Sequence, residues 1–203
     1  LIIGMGAGSV STNTVIGYGA LSNSINTGSN NSALGYNSMK SNTTGLSNTA
    51  NGISSLYTNS TGSYNNAYGV SALYMNTSGN YNVAIGFRPL WKNNTGANNF
   101  GIGSQALQNN LGGGYNTAIG TQTLINNSTG NHNIALGSTA LYKNTTGDRN
   151  IAIGHAAILF GRYNSDNLAI GYQALWGSNS GASAFDVGDF NVAIGNLTLE
   201  VNE

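Results

Sequence analysis

The chain reads as all-β, a repetitive β-solenoid or β-roll with 17-residue coils, and three observations predict it. Glycine returns at one constant step of seventeen: Gly35, Gly52, Gly69, Gly86, Gly103, Gly120, Gly137, Gly154 and Gly171. A large aliphatic residue keeps the same step four positions later, from Met39, Leu56 and Leu73 to Leu141, Ile158 and Leu175. Finally, 30 glycines with one proline and no long apolar run suit turns and short strands better than helices, whose interiors glycine weakens. A unit this small cannot bury a core alone, so consecutive units must stack as coils. At about 4.8 Å per coil, roughly eleven coils make a rod about 50 Å long.

The spacing divides the chain. Residues 1–30 hold irregular first coils, because the step from Gly4 to Gly17 is thirteen and that from Gly17 to Gly35 is eighteen. Residues 31–181 hold nine regular repeats, each opening on asparagine from Asn31 to Asn167. The step from Gly171 to Gly195 is seven longer than the standard one, which marks 182–190 as an insertion loop before a last partial repeat at 191–203.

Within a unit, numbered here as slots one to seventeen from Asn133 to Arg149, the elements follow in order. Slots two to four form a short apolar run between asparagine and glycine, as in Val83-Ala84-Ile85 and Ile134-Ala135-Leu136, and predict a strand covered on both faces. Alternation then sends slot three and slot four to opposite sides. The expected arrangement has Ile85 or Leu136 meeting Leu90 or Leu141 of slot nine inside the coil, with Ala84 and Ala135 facing out. Slots eight to ten are expected to carry a second short strand or a helical turn. Asn-Thr-Thr-Gly at slots twelve to fifteen is expected to turn, with glycine free to take positive φ. The repeat signature is therefore Asn82, Ala84, Ile85, Gly86 and Leu90, and again Asn133, Ala135, Leu136, Gly137 and Leu141.

Three or four apolar side chains per coil make a thin core for a free-standing monomer. Self-association compensates, and an alanine row lining a three-fold axis predicts a homotrimer. On that arrangement Ala135→Leu is expected to disrupt assembly.

Composition excludes several function classes. Net charge is zero and only 6% of residues are charged, against roughly 25% in ordinary soluble chains. Lys40, Arg88, Lys92, Lys143, Arg149 and Arg162 form no stripe, so no nucleic-acid partner is expected. No apolar run approaches the ~18 residues of a spanning helix, so no membrane insertion is expected. Without cysteine there is neither a disulfide nor thiolate chemistry. His132 and His155 occupy different slots and no nucleophile stands beside a base, so no enzyme, no metal and no cofactor is expected.

The N-x-A-I-G unit followed by A-L and N-T-T-G, as in Asn82 to Gly96, Asn116 to Gly130 and Asn133 to Gly147, resembles repeats of bacteriophage tail fibres and related fibrous surface proteins. The N-V-A-I-G core at Asn82 to Gly86 and Asn191 to Gly195 is also similar to head repeats of trimeric autotransporter adhesins of the YadA-like type. The resemblance spans nearly the whole chain. It implies a homotrimeric β-roll or β-helix on a virion or cell surface, beside neighbouring fibre or virion proteins and used for host attachment. The repeat unit here is longer than that of the adhesin heads.

The remaining candidates are surface groups. Thr and Ser at slots thirteen and fourteen could form an ice-binding row, although hydroxyl-to-backbone bonds of a turn explain them more simply. The N-x-[ST] matches at Asn42, Asn59, Asn76, Asn93, Asn127 and Asn144 follow automatically from that turn. Outward aromatics suit sugar rings, and Tyr142 and Trp176 are the candidate glycan contacts, with Trp176 just before the insertion. Asp186 and Asp189 in that loop join them. The sequence therefore predicts a structural fibre segment, a rigid spacer with a host-receptor or glycan attachment role. A trimeric adhesin head and an ice-binding solenoid are the alternatives.

Overall fold

A computed structural model of the chain describes residues 3–4, 10–177 and 187–199. The strands are β1 (Ile3–Gly4), β2 (Thr14–Ile16), β3 (Ser32–Leu34) and then one per coil at slots two to four, ending with β11 (Leu168–Ile170) and β12 (Val192–Ile194). All twelve form one sheet in sequence order. Strands β2 to β12 pair in parallel, slot on slot: Ala135 lies beside Ala118 and Ala152, and Ala169 beside Ala193 despite the longer step between them. The chain is therefore a parallel β-solenoid. Strand β1 runs antiparallel to β2, with Gly4 opposite Val15 and Ile3 opposite Ile16. It covers the edge of the first coil, where unpaired backbone groups would otherwise invite another strand.

The expected second strand is absent among the described residues, which contain no helix either. Slots eight to ten form a turn, and the coil carries a single short strand. The turn is stitched to its neighbours by backbone hydrogen bonds, such as Leu124 N–H to Ala140 O and Leu141 N–H to Ala157 O, both 3.0 Å. Residues of slots seven, nine and seventeen take positive φ in coil after coil, including Leu73 (52°), Leu107 (52°), Leu124 (51°) and Leu141 (52°).

The faces of the strand are the reverse of the expectation. Ala84 and Ala135 are fully buried, whereas Ile85 and Ile134 are 39% and 40% exposed. The slot-nine leucines, Leu90 and Leu141 among them, are fully buried with the alanines. Gly101 shows why: it sits at slot three, and a Cβ placed there would meet Leu90 Cγ and Cδ1 at 3.4 Å. The leucine reaches across the coil and leaves room for one methyl group. A slot-four isoleucine does not fit there, so it turns outward together with slot two.

Two asparagine ladders complete the interior. Asn133 donates from its backbone N–H and from Nδ2 to Asn116 Oδ1, at 3.0 and 3.1 Å, and Nδ2 also reaches Gly147 O at 2.8 Å. The same slot-one pattern holds for Asn82, Asn116 and Asn150. At slot twelve, Asn127 Nδ2 donates to Asn110 Oδ1 and Gly130 O, at 2.8 and 2.9 Å. The slot-twelve ladder ends where the next coil holds Gly161, and Asn144 Oδ1 is buried with no hydrogen-bond partner among the described residues. Buried amides of this kind are tolerated because the next coil satisfies them.

Candidate functional site

Each row of the repeat meets the surface in a different way. The hydroxyls of slot thirteen are committed to the scaffold: Thr43, Thr77 and Thr145 donate to the carbonyls of Ser60, Asn94 and Arg162, at 2.9, 3.2 and 3.0 Å. The slot thirteen and fourteen surface is also interrupted by Leu111 and Tyr163, 48% and 64% exposed. Asn42, Asn59, Asn76, Asn93, Asn127 and Asn144 are fully buried, which leaves no side-chain nitrogen open to a glycosylating enzyme.

The aromatic rows stack along the rod. Tyr57, Tyr74 and Trp91 form a continuous pile at slot ten, with centroids 5.0 and 6.1 Å apart. Tyr64 and Tyr81 stack at 4.9 Å at slot seventeen, as do Tyr115 and His132. These contacts lie within one chain and follow from the parallel register, which sets identical slots one above another. The same register places Arg149 one coil from Asp166, where Nε and Nη2 donate to the two carboxylate oxygens at 2.6 and 2.7 Å. The hydrogen bond from Arg149 holds the Asp166 carboxyl below its ordinary range, against a smaller opposing cost of desolvation.

Tyr142 and Trp176 share slot ten and stand two coils apart. With Leu159 between them they form one wall of a groove of about 520 Å³, a size within the usual range for small-molecule sites. Gln122, Thr139 and Gln173 of slot seven also line it, together with Lys143 and His155. Trp176 packs edge-on against buried Phe160, with centroids 5.5 Å apart and planes at 68°. Its indole Nε1 is buried and has no hydrogen-bond partner among the described residues. Lys143 Nζ stands 5.4 Å from the Tyr142 ring centroid, a cation–π contact. The groove therefore combines one aromatic wall with amide, hydroxyl and ammonium groups and has no carboxylate among its described lining residues, an inventory suited to a hydroxyl-rich ligand.

The two aspartates stand apart from this groove. Asp186 lies outside the described residues. Asp189 occupies slot sixteen, where its Oδ1 accepts the Ser165 backbone N–H at 2.7 Å. Asp148 does the same for Asn131 at 2.6 Å in an earlier unit. Gly188 likewise takes slot fifteen, its carbonyl accepting from Asn167 Nδ2 at 3.0 Å. The regular slots thus resume at Gly188, ahead of Asn191, and Asp189 serves as a structural acceptor. Among the described residues no three His, Asp or Glu side chains gather to hold a metal, and no helix is long and apolar enough to cross a membrane.

What sequence reasoning did not anticipate is the outward row of slot four with its neighbours in slots two and six. It runs from Leu34 (40% exposed) through Tyr68 (41%) and Ile119 (39%) to Ile194 (64%). Period-two alternation carries the signal, since an alanine turned inward obliges its large neighbours to face out. Comparison with protein-family models, with curated proteins and with solved structures returns no match to this chain.

Proposed function

We propose that the chain is a structural segment of a homotrimeric fibre, a phage tail fibre or similar surface appendage, which acts as a rigid spacer and presents a glycan-contact groove. The outward slot-four row carries this reading. It is apolar in every described coil except at Asn51 and is exposed or half-exposed over the length of the rod. Exposed apolar area that continuous is uncommon on a monomer and marks an association surface. Three copies with slot four at a common axis bury it against one another, and this row replaces the alanine row as the centre of the assembly. The resemblance of the N-x-A-I-G unit to fibre and adhesin-head repeats supports three as the number.

Apart from His155 of slot six at its border, the groove of Tyr142, Leu159 and Trp176 lies on the turn at slots seven to eleven, so it stays open when slot four is covered. A sugar ring stacks on the aromatic wall while Gln122, Gln173 and Lys143 bond its hydroxyls. Light scattering on the purified chain is expected to return three times its 20.8 kDa mass, and a value of one chain refutes the fibre. Binding to an array of cell-surface glycans is expected to fall by about tenfold or more in Trp176→Ala. Retention of full binding by that variant removes the groove from the attachment role.

A further inference from the structure

The flanks of the slot-four row differ between the two ends of the rod in a way the single chain does not explain. In the early coils slot two is small and polar and slot six is large: Ser32 goes with Tyr36 and Thr49 with Ile53. In later coils the order reverses, as Phe100 goes with Ser104 and Ile134 with Ser138. Tyr36 and Ile53 are 52% and 53% exposed, and Phe100 and Ile134 are 37% and 40% exposed, so all four bulky groups face out. Val83 with Phe87 (both large) marks the crossover. Thr117 with Thr121 (both small), and Ile151 with His155 and Leu168 with Tyr172 (both large), depart from the rule. Slots two and six have the slot-four side chain between them, so they do not fill each other's space within one coil. Yet where one is bulky the other is generally small.

We infer that a second copy of this chain supplies the missing contact, with its slot six lying over slot two of its neighbour at the same coil level. The inference rests on the assembly proposed above and specifies how the copies meet. Rotation about an axis parallel to the rod brings the slot-two flank of one copy against the slot-six flank of the next, and repeats the contact until the ring closes. Large then faces small at most levels, among them Ser32/Tyr36, Thr49/Ile53, Phe100/Ser104 and Ile134/Ser138, and the reversal between the early and late coils is matched only by a copy in the same direction and in register. An antiparallel copy would set the Tyr36 region against the late coils, where slot two is large. The face holds no Lys, Arg, Asp or Glu among slots two, four and six of the described coils, so no charge pairing selects a different partner. Its area, about 50 Å of rod by the roughly 13 Å from slot two to slot six, is roughly 650 Å² per copy, close to the ~800 Å² per partner of a stable interface.

The test is a double-mutant cycle on the pair Ile134 and Ser138, read as the concentration at which the assembly dissociates. Ile134→Ser opens a void against the neighbour and Ser138→Ile crowds one, so each single variant is expected to dissociate at about tenfold or more higher concentration. The double variant I134S/S138I exchanges the two sizes and is expected to return to within about threefold of the parent. Losses that simply add in the double variant overturn the seam while leaving the assembly standing. A parent chain of one-chain mass instead overturns the assembly, and the seam with it. The pair Ser32 and Tyr36, exchanged in the opposite sense, repeats the measurement should either Ile134 or Ser138 variant fail to fold.

Discussion

Glycine is required at two slots for different reasons. At slot five Gly137 has φ of +124°, and a Cβ there would stand 2.6 Å from Gly154 O, so both backbone conformation and space exclude a side chain. At slot fifteen the glycines of the regular coils, Gly28 to Gly147, take no positive φ, and only Gly188 after the insertion does (74°). A Cβ on Gly130 would instead meet Gly147 O and Asn127 Oδ1, at 2.4 and 2.5 Å. The slot-fifteen glycine is thus dictated by the ladder and the next coil, and the positive φ expected for the turn falls on slots seven, nine and seventeen. Gly137→Ala is expected to cost more than about 3 kcal/mol in urea unfolding. Gly101 is the contrasting case, since it replaces the slot-three alanine without positive φ and faces Leu90 at ordinary contact distance. Gly101→Ala should stabilise by about 1 kcal/mol, from a stiffer unfolded chain and one buried methyl group, seen as a raised urea midpoint. The slot-nine leucines resolve a conflict of similar size. A left-handed conformation costs about 1–2 kcal/mol for each, and full burial of the side chain, about 1.5–3 kcal/mol, exceeds it. Asp166 has a depressed pKa in the folded chain, so its pairing with Arg149 contributes above the ordinary carboxylate range and is lost as pH falls through the lowered value. A carboxyl titration followed by NMR should place its midpoint below that of a free aspartate.

At the scale of the element, the coil is a strand, a turn and two amides. Asn116 bonds Asn99 Oδ1 and Gly130 O and accepts from the N–H and Nδ2 of Asn133. Asn116→Ala leaves the donors of Asn133 short of an acceptor and frees the Gly130 carbonyl, a loss of roughly 3 kcal/mol. Thermal unfolding should register it whether or not the chains are assembled. Ala135→Leu now belongs to this scale too. Ala135 is enclosed by the leucine row, so the added atoms disrupt the coil itself, and a dilute sample at one-chain mass should unfold as readily as an assembled one.

For the whole molecule, a solenoid is close to one-dimensional, because each coil touches only its neighbours. Removal of residues 116–132 joins slot seventeen of one coil to slot one of the next and should leave a folded rod about 4.8 Å shorter. Removal of only 116–125 sets the glycine and leucine rows out of step and should abolish folding, as circular dichroism would show. Length is therefore adjustable in whole coils, which suits a spacer.

Much of this architecture was legible in the residues themselves. Gly137, Leu141 and Asn133 recur at a period that only stacked coils explain, and the same period places Tyr142 two coils from Trp176. Slots two to four as the strand, the ladder at slot one and the continuity of the parallel sheet all follow from periodicity and hydrogen-bond bookkeeping. Alternation also shows that Ala135 and Leu136 face opposite ways. It does not show which of them faces inward, because burial of the larger side chain is the ordinary expectation. Only the tertiary structure settles that, through the width of the coil: Leu141 reaches across it, the asparagine ladders fill what remains, and one methyl group is all the strand can place inside. The large residues are left outside, and with them the surface on which the proposed assembly rests.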